Sequence, residues 1–177
     1  DDRTGLFFHD WSPQSGMRSS NYWSRGNGWI IMAFAETLRQ VDPTVSNYSE
    51  LLGIYRRLVD GLLRYRHPSG MWRLIPENDQ SPLETSGTTM FLIGMTVGVG
   101  LGILERSLGK LLLESFREVT GWICTEEGRP YRGALMGSEA PAGPGGWETH
   151  KSVALGESAY TSGSFLKLLA ELKAADL

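Results

Sequence analysis

Glu84-Thr85-Ser86-Gly87-Thr88-Thr89-Met90-Phe91-Leu92-Ile93-Gly94-Met95-Thr96-Val97-Gly98-Val99-Gly100-Leu101-Gly102-Ile103-Leu104 decides the fold. No charge occurs between Thr85 and Leu104, and Gly94, Gly98 and Gly102 recur at GxxxG spacing. A membrane-spanning helix needs about 20 predominantly apolar residues. Here the first positions read Thr-Ser-Gly-Thr-Thr, and neither basic anchors nor a flanking aromatic belt are present. The expectation is therefore no membrane partner. The stretch reads instead as a helix over 88–104, buried on all sides, with glycines allowing neighbouring helices to approach.

Other helices show by their periodicity. Trp29, Met32, Ala33 and Leu38 give a helix over 27–41, stopped by Asp42-Pro43. A second starts near Asn47, where Asn47 and Glu50 have capping-box spacing. Its apolar stripe is Leu51, Tyr55, Leu58, Leu62 and Tyr65, with Arg56, Arg57 and Asp60 on other faces. Leu112, Phe116, Val119 and Trp122 predict a helix over 110–125, and Phe165, Leu168, Leu169 and Leu172 one over 163–174. A Gly/Pro-rich loop lies between, at 128–146. There is no βαβ alternation; Trp72 to Ile75 is a candidate for one short strand.

An internal repeat links these parts. Turns recur at Thr4-Gly5-Leu6-Phe7, Ser69-Gly70-Met71-Trp72 and Glu127-Gly128-Arg129-Pro130. Each precedes a helix start rich in small residues: Ser24-Arg25-Gly26-Asn27-Gly28, Glu84-Thr85-Ser86-Gly87-Thr88 and Tyr160-Thr161-Ser162-Gly163-Ser164. The spacing is roughly 60 to 75 residues. Buried and amphipathic helices alternate, which predicts an all-α fold with inner and outer rings. About two and a half such hairpins make an open half-ring that exposes inner-helix faces. The expectation is that residues 1–177 are the C-terminal portion of one domain, completed by an N-terminal half or a second copy. The first residues are Asp1-Asp2-Arg3, with no initiating Met, so the expectation is that residue 1 is not the natural start.

The remaining composition excludes several functions. The net charge is −3 and Lys and Arg form no stripe, so no nucleic-acid partner is expected. Cys124 is the only cysteine, which rules out an internal disulfide and a cysteine-rich zinc site; it reads as a core residue. His67 and His150 read as surface residues, and no HExxH, GxSxG or Walker A sequence occurs. Neither a metal nor a cofactor is expected.

The densest chemistry is His9-Asp10-Trp11 followed by Asn21-Tyr22-Trp23-Ser24-Arg25-Gly26-Asn27-Gly28-Trp29. It gathers imidazole, carboxylate, guanidinium, amide and indole groups. Arg binds carboxylates through a planar two-pronged fork, and indoles stack on sugar faces. A carboxylated sugar would use these types. Equally, Trp23 and Trp29 could be core aromatics and Arg25 the partner of a structural carboxylate. Glu84 could act on a ligand or favour the positive end of a helix. Ser158, Thr161, Ser162 and Ser164 could bond an anionic substituent or cap the last helix.

Trp23-Ser24-Arg25-Gly26-Asn27-Gly28-Trp29 resembles the W-[GS]-R-G-N-G-W segment of glycoside hydrolase families 88 and 105, the unsaturated glucuronyl and rhamnogalacturonyl hydrolases. Thr4-Gly5-Leu6-Phe7-Phe8-His9 resembles the TGLFYH turn, Leu83-Glu84-Thr85-Ser86-Gly87-Thr88 the LETSGT segment, and Gly163-Ser164-Phe165-Leu166 the final GAFLLA helix. The resemblance spans nearly the whole chain and leans towards family 105. It implies an (α/α)6 toroid. It also implies removal of an unsaturated uronic acid from pectin-derived oligosaccharides. In that reaction an aspartic acid protonates C4 of a C4=C5 double bond and water adds at C5. The hemiketal then opens with loss of the glycosidic bond. One protonated carboxyl with a raised pKa is the central need. By motif match, His9, Trp23, Arg25 and Trp29 would line the sugar subsite, with Arg25 on the carboxylate or a hydroxyl and Trp23 or Trp29 as a stacking wall. The family's proton-donating aspartate lies upstream of the TGLFYH turn. No position here matches it, and Asp10 does not fit that motif. For bacterial relatives using imported oligosaccharides, the resemblance implies a cytoplasmic location. Two other readings compete: a non-catalytic carbohydrate-binding protein and a dimerising helical protein.

Overall fold

The structure is a computed structural model that describes residues 1–123 and 159–177. Its elements are α1 (Ser24–Gln40), α2 (Tyr48–Arg64), β1 (Trp72–Arg73), β2 (Leu83–Glu84), α3 (Thr85–Gly100), α4 (Leu108–Ile123) and α5 (Ala159–Ala174). The predicted turn at 127–130, the loop at 128–146, Cys124, His150 and Ser158 lie outside the described residues.

Helix α3 is the centre of the molecule. Every residue from Thr85 to Val99 is buried, which is why the sequence shows no polar face. On one side it packs against α1, on the other against α5. The α1 interface runs in parallel: Ser24 lies against Gly87, Gly28 against Met90, and Ile31 against Gly94. Gly28 is required there. A Cβ on it would sit 2.7 Å from the Met90 Cβ, a distance real Cβ atoms essentially never show. Helices α2 and α4 form the outer layer, against α1 and α3 respectively. Tyr55 of α2 is fully buried and donates its hydroxyl proton to the Gly94 carbonyl at 2.8 Å. At the far end, Arg39 and Glu36 of α1 meet Glu171 and Lys167 of α5. The Arg39–Glu171 distance is 2.6 Å and the Lys167–Glu36 distance 2.7 Å. The alternation of inner and outer helices is thus the one expected, and the chain forms part of a helical ring.

The helix starts differ from expectation. Helices α1 and α3 each begin three residues earlier than predicted, and α5 four. Small residues with poor helix propensity read as loop, but neighbouring elements hold them in the helix. Ser24 donates its N–H to Leu74 O at 3.0 Å and its hydroxyl to Arg73 O at 2.5 Å. Because α5 starts at Ala159, Ser162 lies inside the helix rather than before it, and Ser164 lies beyond its first turn. The Asn47–Glu50 capping box does not form either. Asn47 precedes α2 but makes no side-chain cap, and its Oδ1 takes the Ser46 hydroxyl at 3.3 Å. The candidate strand is two residues long and pairs antiparallel with β2, Trp72 opposite Glu84. Among the described residues no helix is long and apolar enough to cross a membrane.

The repeat is visible as a shared pair of hydrogen bonds. Gly5 and Gly70 both adopt positive φ, at 78° and 102°. Two residues after each, the backbone N–H is taken by a side chain from the next inner helix: Phe7 by Asn27 Oδ1 at 2.8 Å, Trp72 by Thr88 Oγ1 at 3.0 Å. Each of those side chains also donates to the carbonyl four residues back, Asn27 to Trp23 O and Thr88 to Glu84 O. Residues 24–27 therefore correspond structurally to residues 85–88. Gly5 and Gly70 hold the turn because side chains rarely tolerate that φ; a Cβ on Gly5 would also strike the Arg57 carbonyl.

Candidate functional site

The N-termini of α1 and α3 share one end of the ring, and the predicted site residues gather there. Asn27 fixes the first piece. Buried at 1% exposure, it both accepts from the Phe7 N–H and donates to the Phe7 carbonyl at 2.9 Å. This ties the turn carrying His9 to the start of α1, across 20 residues of sequence.

His9, Trp23 and Trp29 line one cavity of about 190 Å³, together with Phe7, Phe8 and Gly26 among others. The His9 and Trp23 rings meet edge to face at 5.1 Å, and Trp29 is 47% exposed. Arg25 is not among the lining residues. It is buried, with its guanidinium carbon 4.5 Å from the centre of the Trp23 ring, a cation–π arrangement. The structure thus brings three predicted residues to one cavity and places the fourth against one of its walls. The Trp23 Nε1 is buried without a hydrogen-bond partner. Asp10 is exposed, its carboxylate 3.7 Å from His9 Nδ1.

Glu84 takes the helix-terminus role, one of the two readings open from its position. It is the N-cap of α3, with 1% of its surface exposed. One carboxylate oxygen accepts from the Gly87 N–H at 2.6 Å; the other accepts from the Ser86 N–H and hydroxyl, both at 2.8 Å. Burial pushes its pKa up to about 6, against the opposing pull of those donors and of the Arg25 charge. Arg25 and Glu84 therefore act on each other across the α1–α3 interface, a pairing the sequence spacing did not reveal.

Sequence reasoning also missed Glu77. Its Oε1 accepts the Tyr22 N–H at 3.0 Å, anchoring the segment before α1 to the loop between β1 and β2. Burial pushes the Glu77 carboxyl above its ordinary value. No local signal marks it, since its partner is 55 residues away. Of the serines near α5, Ser164 is buried and Ser162 exposed. His67 is partly buried and accepts the Ser69 N–H at its Nδ1, a turn contact away from the cavity. Among the described residues no three His, Cys, Asp or Glu side chains are grouped to hold a metal.

Comparison with known proteins gives concordant matches. The family model described as Glycosyl Hydrolase Family 88 matches residues 1–174. An unsaturated 3S-rhamnoglycuronyl hydrolase of Alteromonas sp. (strain LOR) is 32% identical over 138 residues, 72% of this chain and 32% of that protein. The unsaturated rhamnogalacturonyl hydrolase YesR of Bacillus subtilis (strain 168) is 30% identical over 86 residues, 48% of this chain and 25% of that protein. A solved structure from Salmonella enterica serovar Paratyphi A, described as a possible member of family GH105, superposes with a TM-score of 0.86 at 21% identity. It covers all of this chain and 46% of its own. The chain spans about half the length of that structure and about a third of the Alteromonas relative.

Proposed function

The chain belongs to Glycosyl Hydrolase Family 88, and from that membership we propose that it holds the uronide-binding wall of an unsaturated glycuronyl hydrolase. The reaction is removal of a terminal 4,5-unsaturated uronic acid from an oligosaccharide by protonation and hydration of its double bond. The observation that carries the reading is the arrangement at the start of α1. His9, Trp23 and Trp29 line one cavity, and the Arg25 cation lies against Trp23.

Each residue has a part. Trp29 and Trp23 form apolar walls for a sugar ring. His9 offers a ring nitrogen to a hydroxyl. Arg25 supplies positive charge next to the site, where burial strengthens its attraction for a uronate. Asn27 and Gly28 do not touch the sugar; they fix the wall by bonding Phe7 and by letting α1 approach α3. Among the described residues, no carboxylate lines this cavity. Glu84 is already bonded at both oxygens, so the proton comes from a carboxyl supplied by another segment or a second copy. Pectin fragments already cut by a lyase and imported are the substrate class we favour, with action in the cytoplasm.

The test follows the ultraviolet absorbance of the conjugated uronide during incubation with an unsaturated rhamnogalacturonan disaccharide. Loss of absorbance supports the hydrolase reading. Binding without loss, measured calorimetrically, supports a carbohydrate-binding chain that lacks the acid. Absence of both refutes the site.

A further inference from the structure

Trp23 stands between two residues whose backbone N–H groups reach the same loop. Before it, Tyr22 donates its N–H to Glu77 Oε1 at 3.0 Å. After it, Ser24 donates its N–H to Leu74 O, also at 3.0 Å. Leu74 and Glu77 both belong to the loop 74–82, which joins β1 to β2. The Trp23 side chain packs on Leu74 and Ile75 of that loop. Gly26, in the first turn of α1, leaves the ring room: a Cβ there would sit 3.1 Å from Trp23 Cε3. The loop is tied across its own width. Leu74 donates its N–H to Pro82 O at 2.8 Å, and Ile75 to the Ser81 hydroxyl at 2.9 Å. Ser81 is fully buried, and its carbonyl accepts from Arg73 Nη1 at 2.6 Å. Such a loop is a fixed support. The Ser24 N–H tether uses backbone atoms alone, whereas the Tyr22 tether depends on one side chain, that of Glu77.

We propose that Glu77 is a positioning residue: through the Tyr22 N–H it holds Trp23 in place as a wall of the uronide cavity. The inference rests on the function proposed above and deepens it. Glu77 is not among the residues lining that cavity, so it acts on a sugar only through Trp23. An indole wall favours binding most when its orientation is fixed beforehand, because a ring that must be ordered by the ligand costs affinity. A carboxylate suits the task. It only accepts hydrogen bonds, and its charge strengthens the bond from a backbone N–H. Once the backbone before Trp23 is fixed, the ring is set against His9, whose ring centre is 5.1 Å away, and under the Arg25 guanidinium at 4.5 Å. One side chain on a distant loop thereby orients the indole, the imidazole and the cation relative to one another.

Two measurements on the full chain test this: calorimetric titration with an unsaturated monouronide, and the indole N–H resonance of Trp23 in the ligand-free protein. Glu77→Ala should weaken the monouronide about tenfold, as expected for loss of one charge-assisted hydrogen bond, and should shift the Trp23 resonance. Glu77→Gln keeps an acceptor oxygen. It should restore the resonance and bring affinity back to within about threefold of the unaltered chain. Asp79→Asn removes an exposed charge from the same loop and should change neither reading. Glu77 lies outside the buried core, so the urea midpoint of Glu77→Ala should stay close to that of the unaltered chain. Should it unfold, Glu77→Asp, one methylene shorter, gives the same reading with the charge retained. Unchanged affinity in Glu77→Ala, or no rescue by glutamine, overturns the positioning role. Equal weakening by Asp79→Asn does so too, since loop charge would then be the cause. If the unaltered chain binds no monouronide while Glu77→Ala still shifts the Trp23 resonance, the uronide site fails and only the clamp on Trp23 stands.

Discussion

Replacing Glu84 by Gln measures a conflict within the α3 cap. Three donors and the Arg25 charge favour the ionised carboxylate; burial opposes it and prevails, raising the pKa from 4.5 to about 6. In the unfolded chain Glu84 ionises near its ordinary value. Between the two, the folded state holds a proton that the unfolded state has released, so stability falls as pH rises through this window. The difference is about 1.5 pKa units, or about 2 kcal/mol, spread from about pH 4.5 to about pH 6. Glutamine does not titrate. The stability of the unaltered chain relative to Glu84→Gln should therefore drop by about 2 kcal/mol between about pH 4 and about pH 7. Urea unfolding of both proteins, followed by tryptophan fluorescence, gives the difference at each pH and cancels other titrating groups such as Glu77. A flat difference would show that cap and burial balance. A difference of opposite sign would show that the cap wins, and the reasoning would be refuted.

Other outcomes follow from the same geometry. Arg25→Ala removes a charge that lowers the Glu84 pKa, so it should shift that stability loss to higher pH in the same urea series. In a titration with the unsaturated monouronide, Arg25→Ala should also weaken binding about tenfold or more while circular dichroism stays unchanged. Normal affinity would remove Arg25 from the site. Asn27→Ala leaves the Phe7 N–H and carbonyl without their partner and should lower the unfolding free energy by about 2 to 4 kcal/mol. Gly28→Ala drives a methyl group into Met90 and should destabilise by about 1 to 3 kcal/mol, measured by urea midpoint.

Much of the ring was readable because its outer helices obey a strict pattern. In α2, Tyr55, Leu58 and Leu62 are fully buried as the stripe requires. Helix α3 was readable for the opposite reason, since uninterrupted apolarity admits only full burial. The helix starts were misread where tertiary contacts override propensity, at Ser24 and at Gly87, whose neighbour across the interface is Ser24 itself. The site was legible as a set of residue types but not as a set of partners. Asn27 reaches back 20 residues to Phe7, and Glu77 reaches 55 to Tyr22. The Arg25–Glu84 relation likewise spans two repeats. Spacing along the chain carries no trace of such pairings until the ring closes them.

The two helix starts that the repeat equates show where this chain gives up stability. At the N-cap of α3, Glu84 satisfies the orphan amides of Ser86 and Gly87. At the equivalent place before α1 stands Trp23, whose side chain makes no cap hydrogen bond and whose own Nε1 is buried without a partner. Two positions further on stands Ser86 in one unit, folded into the cap, and Arg25 in the other, a buried cation against the indole. Yet the pair of bonds that sets the backbone, through Asn27 or Thr88, is retained in both. A frame held constant while cap and neighbour change to an indole and a guanidinium is what a binding site grafted on a repeat should look like. Local rules are broken where a ligand would supply the missing interactions. The capped unit serves as the built-in control, and the contrast supports the proposal of a site at α1 rather than at α3.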